Sequence, residues 1–299
     1  MHILITGATG FLGRFLAPFL RQQGHTTVEL SSISCDLCNP NALDPWSSHK
    51  FDQIYHLAVW MQAGDFCLKT PAEQWLINQK INTHMLDWWH LHQPQALLIA
   101  MGTSCSYDPA YPLAESHYLQ GLPIDSLFAY GMTKRMLLTG LMAIHQQWKL
   151  NYLYLIPSTL YGGGYHTDGR QPHFIFDLVR KILRGKSHNE PVILWGDGEQ
   201  KREIIHVGDF VRTMVQLAAT HRNQVINIGA GKEHSIKEFA QAICSLTDYP
   251  FDKIHFDLTR YVGTRSKVLL IDKLTQLLPH YTLRPLNEGL QEMIDWYNK

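Results

Sequence analysis

The fold of this chain is decided by its amino-terminal stretch, His2-Ile3-Leu4-Ile5-Thr6-Gly7-Ala8-Thr9-Gly10-Phe11-Leu12-Gly13. An apolar strand leads into a turn with three glycines, and an amphipathic pattern then predicts a helix to about Gly24. The glycines permit a tight turn and let the backbone approach an anionic ligand at the positive end of that helix. A second apolar segment, His25 to Leu30, follows. A glycine triplet alone is weak evidence, but this order of strand, turn, helix and strand is the context of a dinucleotide site.

The end of the second strand bears on the choice of cofactor. The strand ends in Ser31-Ser32, so the acidic residue that would bind the ribose hydroxyls of NAD is absent there, although Glu29 lies two residues earlier. Without that carboxylate a 2′-phosphate is not repelled. Arg14 is the nearest cation in sequence, and it either approaches such a phosphate or faces solvent. The sequence therefore favours NADP, with NAD as the alternative.

A second stretch, Met101 to Lys134, carries candidate catalytic residues. The apolar run Ala96–Ala100 predicts a buried parallel strand, which places 103–106 at the carboxyl end of the strand, where open α/β sheets bind ligands. Tyr130 and Lys134 are four residues apart, hence on one face of a helix, and the ammonium is expected to favour the phenolate. This spacing also occurs on ordinary surface helices. Following such a strand and the glycine turn, it predicts a proton donor and acceptor at Tyr130.

The chain resembles the extended short-chain dehydrogenase/reductase family in its glycine pattern, in Thr103, Tyr130 and Lys134, and in their spacing. Within that family it is most similar to the epimerase/reductases of GDP-4-keto-6-deoxymannose. Five further motifs carry this similarity: Gly102-Thr103-Ser104-Cys105-Ser106-Tyr107, Leu113-Ala114-Glu115-Ser116, Leu119-Gln120-Gly121, Leu160-Tyr161-Gly162 and Leu194-Trp195-Gly196-Asp197-Gly198. The resemblance implies an α/β fold, with a Rossmann-like doubly wound parallel sheet and a smaller, discontinuous α/β substrate domain. We expect the dinucleotide domain at 1–157 plus 207–228 and the nucleotide-sugar domain at 158–206 plus 229–299.

The glycine turn and the resemblance together predict the cofactor-binding residues. Asp36-Leu37 resembles an adenine-contacting pair, although Asp36 alone is equally a turn cap, and His56-Leu57-Ala58 resembles the turn under the cofactor diphosphate, which makes His56 a packed residue. The predicted set is Gly7, Thr9, Gly10, Phe11, Leu12, Gly13, Arg14, Ser31, Asp36, Leu37, Leu57, Ala58, Tyr130, Lys134 and Pro157.

The predicted chemistry has two parts. Reduction of a ring ketone needs a hydride donor and a proton, and Tyr130 would supply the proton while Thr103 polarises the same oxygen. By resemblance, Cys105 and His173 are the acid/base pair of an epimerisation beside the ketone, and a thiolate and an imidazole suit proton transfer near neutral pH. From the residues alone, Cys105 is equally a small buried residue at a strand end and His173 a surface histidine.

The resemblance also implies a site for the nucleotide sugar. Ser104, Arg184, Trp195 and Arg202 are its predicted residues, since a base can stack on an aromatic ring and an arginine can bind phosphate oxygens. Trp195 could instead close a hairpin, and Arg184 could lie on a solvated helix face. Two departures border the sugar pocket: where the family has an asparagine after Pro-Thr, this chain has Pro157-Ser158-Thr159, and Gly163 replaces a proline. The exact sugar, such as a GDP-linked deoxy- or heptose 4-ketosugar, therefore stays open.

Composition excludes several classes of protein. Lys plus Arg equals Asp plus Glu at 26 each, so no global field attracts nucleic acid or an anionic membrane. No signal peptide and no apolar run of about 18 residues is present, which predicts a cytoplasmic protein. The five cysteines and 17 histidines form no disulfide framework and no metal motif, and Cys35-Asp36-Leu37-Cys38 lacks a second ligand pair. By resemblance, the helix from Pro71 to about His92 and the Tyr130 helix form a homodimer interface.

Four other functions compete with an epimerase/reductase. A simple 4-ketoreductase would not use Cys105 and His173 in catalysis. A 4,6-dehydratase would need an acid pair where Ser104-Cys105 stands, and a C4 epimerase would prefer NAD and would not need Cys105. A regulator that only senses the cofactor would be expected to lose Tyr130 or Lys134, and both are present.

Overall fold

A computed structural model describes residues 1–64, 66–166, 168–260 and 264–299. Of the segment 263–267, Gly263 lies outside the described residues. In chain order the strands and helices are β1 (His2–Thr6), α1 (Phe11–Gln22), β2 (Thr26–Leu30), β3 (Gln53–His56), α2 (Phe66–Lys69), α3 (Pro71–His92), β4 (Leu97–Met101), α4 (Phe128–Trp148), β5 (Tyr152–Pro157), β6 (Thr159–Tyr161), α5 (Phe174–His188), β7 (Val192–Trp195), β8 (Lys201–Arg202), β9 (Ile204–His206), α6 (Val207–Thr220), β10 (Gln224–Ile228), β11 (His234–Ser235), α7 (Ile236–Thr247), β12 (Ile254–Asp257), α8 (Asp272–Leu277) and α9 (Leu286–Tyr297).

The centre of the structure is a six-stranded parallel sheet in the order β10-β5-β4-β3-β1-β2. β1 pairs with β2 on one side and with β3 on the other, so the direction of winding reverses beside β1. Ligands of open α/β sheets bind at such a reversal, outside the carboxyl ends of the strands. The predicted doubly wound α/β fold is confirmed.

Apolar helix faces cover both sides of this sheet. β4 is buried along its whole length, as its continuous apolar run predicted. One side packs against α1 and α6, through Leu16, Leu20, Phe210, Met214 and Leu217. The other side packs against α3 and α4, through Met85, Trp88, Trp89, Leu137 and Leu141. The sheet is therefore rigid, and its carboxyl edge is a stable platform for a site.

A second apolar cluster lies among α5, α7, α9 and the short strands that follow β5. β7 pairs with β12 in parallel, and β8 pairs with β11 in antiparallel. Ser235 and Glu238 form a capping box at the start of α7. These elements correspond in part to the predicted substrate domain, whose bounds at 158–206 plus 229–299 stay a prediction.

The segment after β5 contains a strand that the sequence analysis did not predict. Residues 159–161 form β6, which pairs in parallel with β9. The strand has only three residues and ends in glycines, so no local pattern distinguishes it from a loop. Its partner lies more than forty residues further along the chain, and only tertiary pairing makes it a strand.

Candidate active site

A cleft of about 700 Å³ lies along the carboxyl ends of β1, β3 and β4. It is lined by the whole predicted cofactor set: Gly7, Thr9, Gly10, Phe11, Leu12, Gly13, Arg14, Ser31, Asp36, Leu37, Leu57, Ala58, Tyr130, Lys134 and Pro157. The same cleft contains Thr103, Ser104, Cys105 and His173. The fold therefore brings all five predicted catalytic residues together, although they are spread over some seventy residues of sequence.

The glycine turn at one end of the cleft has no room for side chains. Gly7 has φ of +67°, and a Cβ there would lie 2.8 Å from the amide nitrogen of Ala58. A Cβ on Gly13 would lie 2.5 Å from the carbonyl oxygen of Gly7. Among the described residues no side chain caps α1 and no acidic residue lies in its first turn. The first amides of this helix are thus available to an anion, and the turn fits the pyrophosphate of a dinucleotide.

In the described part of the cleft, Ser31 and Ser32 follow the second strand where a ribose-binding acidic residue would stand. Ser31 sits in a turn in which its amide donates to Oγ of Ser34 at 3.0 Å. Glu29 pairs with Arg21 and accepts the hydroxyl of Thr27, so it is engaged on the far side of the strand end. Asp36 lines the cleft and also accepts the amide of Cys38 at 3.0 Å, as the turn-cap alternative predicted.

Arg14 is exposed and has a partner on the protein. Its guanidinium donates to the carbonyl oxygen of Gly164, in the loop after β6, and it lines the cleft. The cation therefore joins the glycine-turn helix to the loop on the opposite wall of the cleft. In this position it could exchange its carbonyl partner for a phosphate oxygen.

A buried chain of hydrogen bonds aligns the catalytic residues, and sequence reasoning missed it. The amide of Thr103 donates to the hydroxyl of Tyr118 at 3.3 Å, which lies 3.0 Å from the hydroxyl of Tyr154. Tyr154 in turn donates to the carbonyl oxygen of Lys134 at 2.7 Å. A Cβ on Gly102 would lie 2.7 Å from the Tyr154 ring, so the glycine permits this packing. The chain fixes the end of β4 against the helix that carries Tyr130 and Lys134.

The phenol of Tyr130 is a proton donor in this structure. Burial raises its pKa well above the ordinary value, and a hydrogen bond with Thr103 offsets only part of that rise. The expectation that the phenol would ionise readily beside Lys134 was therefore wrong, because loss of hydration dominates its pKa at this site. Burial also lowers the pKa of Lys134 to about 8, so its ammonium persists near neutral pH.

The thiol of Cys105 has a cationic partner that the sequence did not reveal. The ammonium of Lys267 donates to Sγ at 3.0 Å. Burial alone would raise the pKa of Cys105, but the charge and hydrogen bond of Lys267, a hydrogen bond with Thr103 and the charge of Arg202 together lower it below the ordinary value. No local signal pointed to Lys267, because 162 residues separate it from the cysteine.

His173 projects into the same cleft. Loss of hydration inside the cleft, followed by the charge of Lys267, lowers the pKa of its imidazole. The ring is therefore neutral near pH 7. By contrast, His56 is 1% exposed and bonds Thr6 and Asn82 through its two ring nitrogens, which agrees with its predicted packing role.

Three predicted substrate-binding residues, Arg202, Trp195 and Arg184, lie outside the cleft, each in a different environment. Arg202 donates to the carbonyl oxygen of Thr264 at 2.8 Å, and its charge reaches Cys105. Trp195 is 51% exposed, with the guanidinium of Arg260 5.6 Å from its ring centre. Arg184 forms a two-pronged ion pair with Glu190 on an exposed surface. None of the three predicted residues lines the cleft itself, and their substrate contacts stay predictions.

Ser158, which precedes the departure at Thr159, and Gly163 each have a defined place in the structure. Oγ of Ser158 is buried, lies on the cleft and has no hydrogen-bond partner among the described residues. An unpaired buried hydroxyl is costly, so a bound ligand that pairs with it would be favoured. A Cβ on Gly163 would lie 3.1 Å from Cβ of Trp296, and the glycine therefore makes room for α9.

Comparison with known proteins agrees with this geometry. The profile of the NAD dependent epimerase/dehydratase family matches residues 3–229, which hold the glycine turn, Thr103, Tyr130 and Lys134. The chain belongs to this family. The family match indicates an enzyme that uses a nicotinamide dinucleotide, and the cleft is its candidate active site.

Individual relatives cover nearly the whole chain. A GDP-L-fucose synthase of Escherichia coli (strain K12) is 27% identical over 312 residues, covering 99% of this chain and 96% of that protein. A GDP-L-fucose synthetase from Naegleria fowleri bound to NADP superposes with a TM-score of 0.87 at 22% identity, over 99% and 94% of the two chains. A GDP-6-OMe-4-keto-L-xylo-heptose reductase from C. jejuni gives 0.89 at 21% identity, over 99% and 97%. These family members share the fold of the present chain along its length.

Proposed function

We propose that this protein is an NADPH-dependent epimerase/reductase of a nucleotide-linked 4-keto-6-deoxy sugar, with GDP as the nucleotide, and that it works as a GDP-L-fucose synthase does. One observation carries the proposal above all others. Cys105, paired with Lys267, shares a cleft with His173 and with Thr103, Tyr130 and Lys134. A reductase needs the last three residues, and only an epimerase needs the others. The name of the E. coli relative supports the same substrate class.

The cleft fits a nicotinamide dinucleotide. The first amides of α1 would bind the pyrophosphate, and the hydroxyl of Ser158 would pair with a polar group at the opposite end. NADP is preferred over NAD because no carboxylate stands at Ser31, and the N. fowleri neighbour supports this choice. When bound, NADPH supplies the hydride for reduction of the ketone.

Three residues then complete the reduction of the C4 ketone. Tyr130, whose pKa is raised by burial, holds a proton at neutral pH and donates it to the ketone oxygen. The hydroxyl of Thr103 hydrogen-bonds the same oxygen. The ammonium of Lys134 stabilises the phenolate that is left, since burial leaves it cationic below about pH 8.

Two further residues act on the carbons beside the ketone. A proton on such a carbon is acidic because the ketone accommodates the resulting negative charge. Cys105 as thiolate removes that proton on one face, and a proton from solvent, relayed through the neutral imidazole of His173, is returned on the other face and inverts the carbon. Each inversion takes one proton from carbon and returns one, so the sugar stays at the same oxidation level until the hydride arrives.

The nucleotide end of the substrate would lie beyond Cys105. Arg202 would bind the diphosphate, because its charge already reaches this end of the cleft. The exposed ring of Trp195 would stack on the base. Arg184 can take part only if its pair with Glu190 opens.

The proposal is tested by incubating the protein with NADPH and a panel of GDP- and dTDP-linked 4-keto-6-deoxy sugars. Loss of absorbance at about 340 nm reports oxidation of the reduced nicotinamide. We expect the GDP-linked sugars to be consumed fastest, with products inverted at carbons beside the former ketone. Oxidation of NADPH by none of these sugars would overturn the proposed function.

A 4-ketoreductase without epimerisation is the second candidate. The segment Pro157-Ser158-Thr159 and Gly163 change the border of the sugar pocket, and the C. jejuni heptose reductase is a close structural neighbour. The two candidates differ in one observable, since only the epimerase exchanges ring protons with solvent.

The cofactor preference leads to a mutational prediction. The wild-type enzyme should show a higher kcat/KM with NADPH than with NADH, and Ser31→Asp should shift the ratio towards NADH by about tenfold or more, because the new carboxylate repels the 2′-phosphate. Steady-state rates with both cofactors measure the ratio, and Ser31→Ala is the matched control without charge. Equal kcat/KM values for the two cofactors in the wild type would contradict this assignment.

We also propose that two chains pair through α3 and α4. These two helices pack against each other and carry exposed apolar side chains, namely Trp75, Leu76, Leu91, Met136, Met142 and Trp148. An apolar face of this kind is stable when a second copy covers it. Light scattering should then give twice the 34.4 kDa chain mass.

Charged variants test whether α3 and α4 form the interface between two chains. Leu76→Glu combined with Met136→Glu should give monomers, because two carboxylates would be buried in the contact. Leu258→Glu places the same charge at a residue that is 73% exposed elsewhere, and it should stay dimeric. A monomeric wild type would rule out the dimer.

A further inference from the structure

Lys267 reaches the active site from a part of the chain remote from all the predicted catalytic residues. It lies between β12 and α8, and its ammonium is 3.0 Å from Sγ of Cys105. Both side chains line the cleft where the sugar would sit. The contact is therefore part of the reactive surface.

Two carboxylates anchor the backbone on either side of Lys267. Glu233 accepts the hydroxyl of Ser266 at 2.7 Å and the amide of Lys267 at 3.2 Å. Glu203, only 3% exposed, accepts the amide of Leu269 at 2.9 Å. A lysine on a free surface loop samples many positions, whereas this one is held so that its side chain is aimed at the sulfur.

An ammonium at this distance favours a thiolate over a thiol. Attraction between opposite charges is stronger in a cleft than in bulk water, and it lowers the free energy of the charged form of the cysteine. The other four cysteines show the opposite behaviour, since burial raises the pKa of each of them, to about 11 in Cys35, Cys67 and Cys244. Cys105 alone among the five has a lowered pKa.

The remaining groups around the pair do not replace Lys267. The described titratable neighbours of Cys105 or of Lys267 are Arg202, Tyr130, Cys67, His173, Glu203 and Glu233. Of these, only Arg202 adds positive charge at the sulfur, and it contributes least to lowering the pKa of Cys105. The charge of Lys267 also adds to the loss of hydration that lowers the pKa of His173.

We infer that Lys267 is a positioning residue that holds Cys105 as a thiolate before the sugar binds. The proton on the carbon beside the ketone then passes directly to sulfur, and no separate base has to remove the thiol proton first. This inference deepens the proposed epimerase function and rests on it for its role in catalysis.

Alkylation by iodoacetamide tests the pair without any sugar. The thiolate sulfur forms a bond to carbon and iodide leaves, so the rate follows the thiolate fraction, and peptide mass analysis reports Cys105 alone. The midpoint of the pH–rate profile is the readout, because it does not depend on how accessible the sulfur is. In the wild type we expect a midpoint below the ordinary thiol value of about 8.5.

Variants at Lys267 give the second arm of the test. Lys267→Met should raise the midpoint by about one pH unit or more, and Lys267→Arg should keep it near the wild-type value. Lys253→Met, at an exposed lysine outside the cleft, is the matched control and should change nothing. An ordinary midpoint in the wild type overturns the inference even if no variant folds, and so does a wild-type midpoint in folded Lys267→Met.

Solvent exchange separates this inference from the proposed function. In deuterated water at neutral pH, Lys267→Met should incorporate deuterium into the sugar ring about tenfold more slowly than the wild type, with recovery at higher pH as the thiol ionises. If Lys267→Met exchanges at the wild-type rate, the positioning role is overturned. If the wild type has a low alkylation midpoint but exchanges no ring proton, the ion pair stands and the epimerase function fails.

Discussion

Replacing Tyr130 by phenylalanine is expected to lower kcat for ketosugar reduction by about 10²-fold or more, while NADPH binding stays intact. The phenol is the only group in the described cleft that is buried, protonated at neutral pH and hydrogen-bonded to Thr103. Its removal leaves the ketone oxygen without a proton donor, whereas the ring still fills its place in the packing. Cofactor binding is measured by nicotinamide fluorescence and turnover by its absorbance.

A matched control distinguishes loss of the proton from loss of the hydroxyl as such. Tyr111→Phe removes the same atom from a side chain that is 42% exposed and does not line the cleft, so it should retain wild-type turnover. Turnover of the wild type should also fall as pH rises through about 8, since Lys134 is cationic below its pKa and loses its charge above it. Near wild-type kcat in Tyr130→Phe would remove this residue from the mechanism.

Replacing Cys105 by serine is expected to abolish epimerisation but not reduction. In deuterated water the wild type should place deuterium on carbons beside the ketone, because that exchange requires an enzyme base to remove a carbon-bound proton. A serine hydroxyl is a far poorer base than a thiolate, so exchange should fall by about 10²-fold or more. Hydride transfer through Thr103, Tyr130 and Lys134 should continue and give a product with uninverted carbons.

A variant of His173, the other residue of the proposed acid/base pair, extends this test. His173→Gln keeps a polar side chain of similar reach without a titratable nitrogen, and it should also slow exchange while leaving cofactor binding unchanged. Cys244→Ser is the control, because that thiol is buried in the cluster around α7, away from the cleft. Mass spectrometry of the product counts the deuterium atoms. Reduction by the wild type without any ring deuterium would identify a simple 4-ketoreductase.

Features with a local physical cause were predicted well from sequence. The long helix predicted from Pro71 to about His92 has those bounds in the structure, and the apolar run before Met101 is a fully buried strand. Helical periodicity, strand burial and glycine turns each depend on a few neighbouring residues, which makes them readable in order along the chain. The cofactor cleft could be predicted for the same reason, since the glycine turn and the strand ends that form it are local patterns.

Features that depend on distant contacts were not predicted. β6 is a strand only because β9 pairs with it, and no periodicity exists in three residues. The direction of the Tyr130 pKa shift was wrong, since the spacing of Lys134 is visible in sequence whereas the burial that outweighs it is not. The hydrogen bonds that join Thr103 to Lys134 through Tyr118 and Tyr154 connect residues from three separate segments.

The sequence by itself determined the fold class, the glycine turn and the identity of the groups able to move protons, because each follows from residue type and short spacing. Tertiary structure alone decided which groups are charged. Lys267 meets Cys105 across 162 residues, and Glu203 and Glu233 hold it there. Ionisation depends on distance, hydration and neighbouring charge, and these are set only when remote segments pack around one cleft.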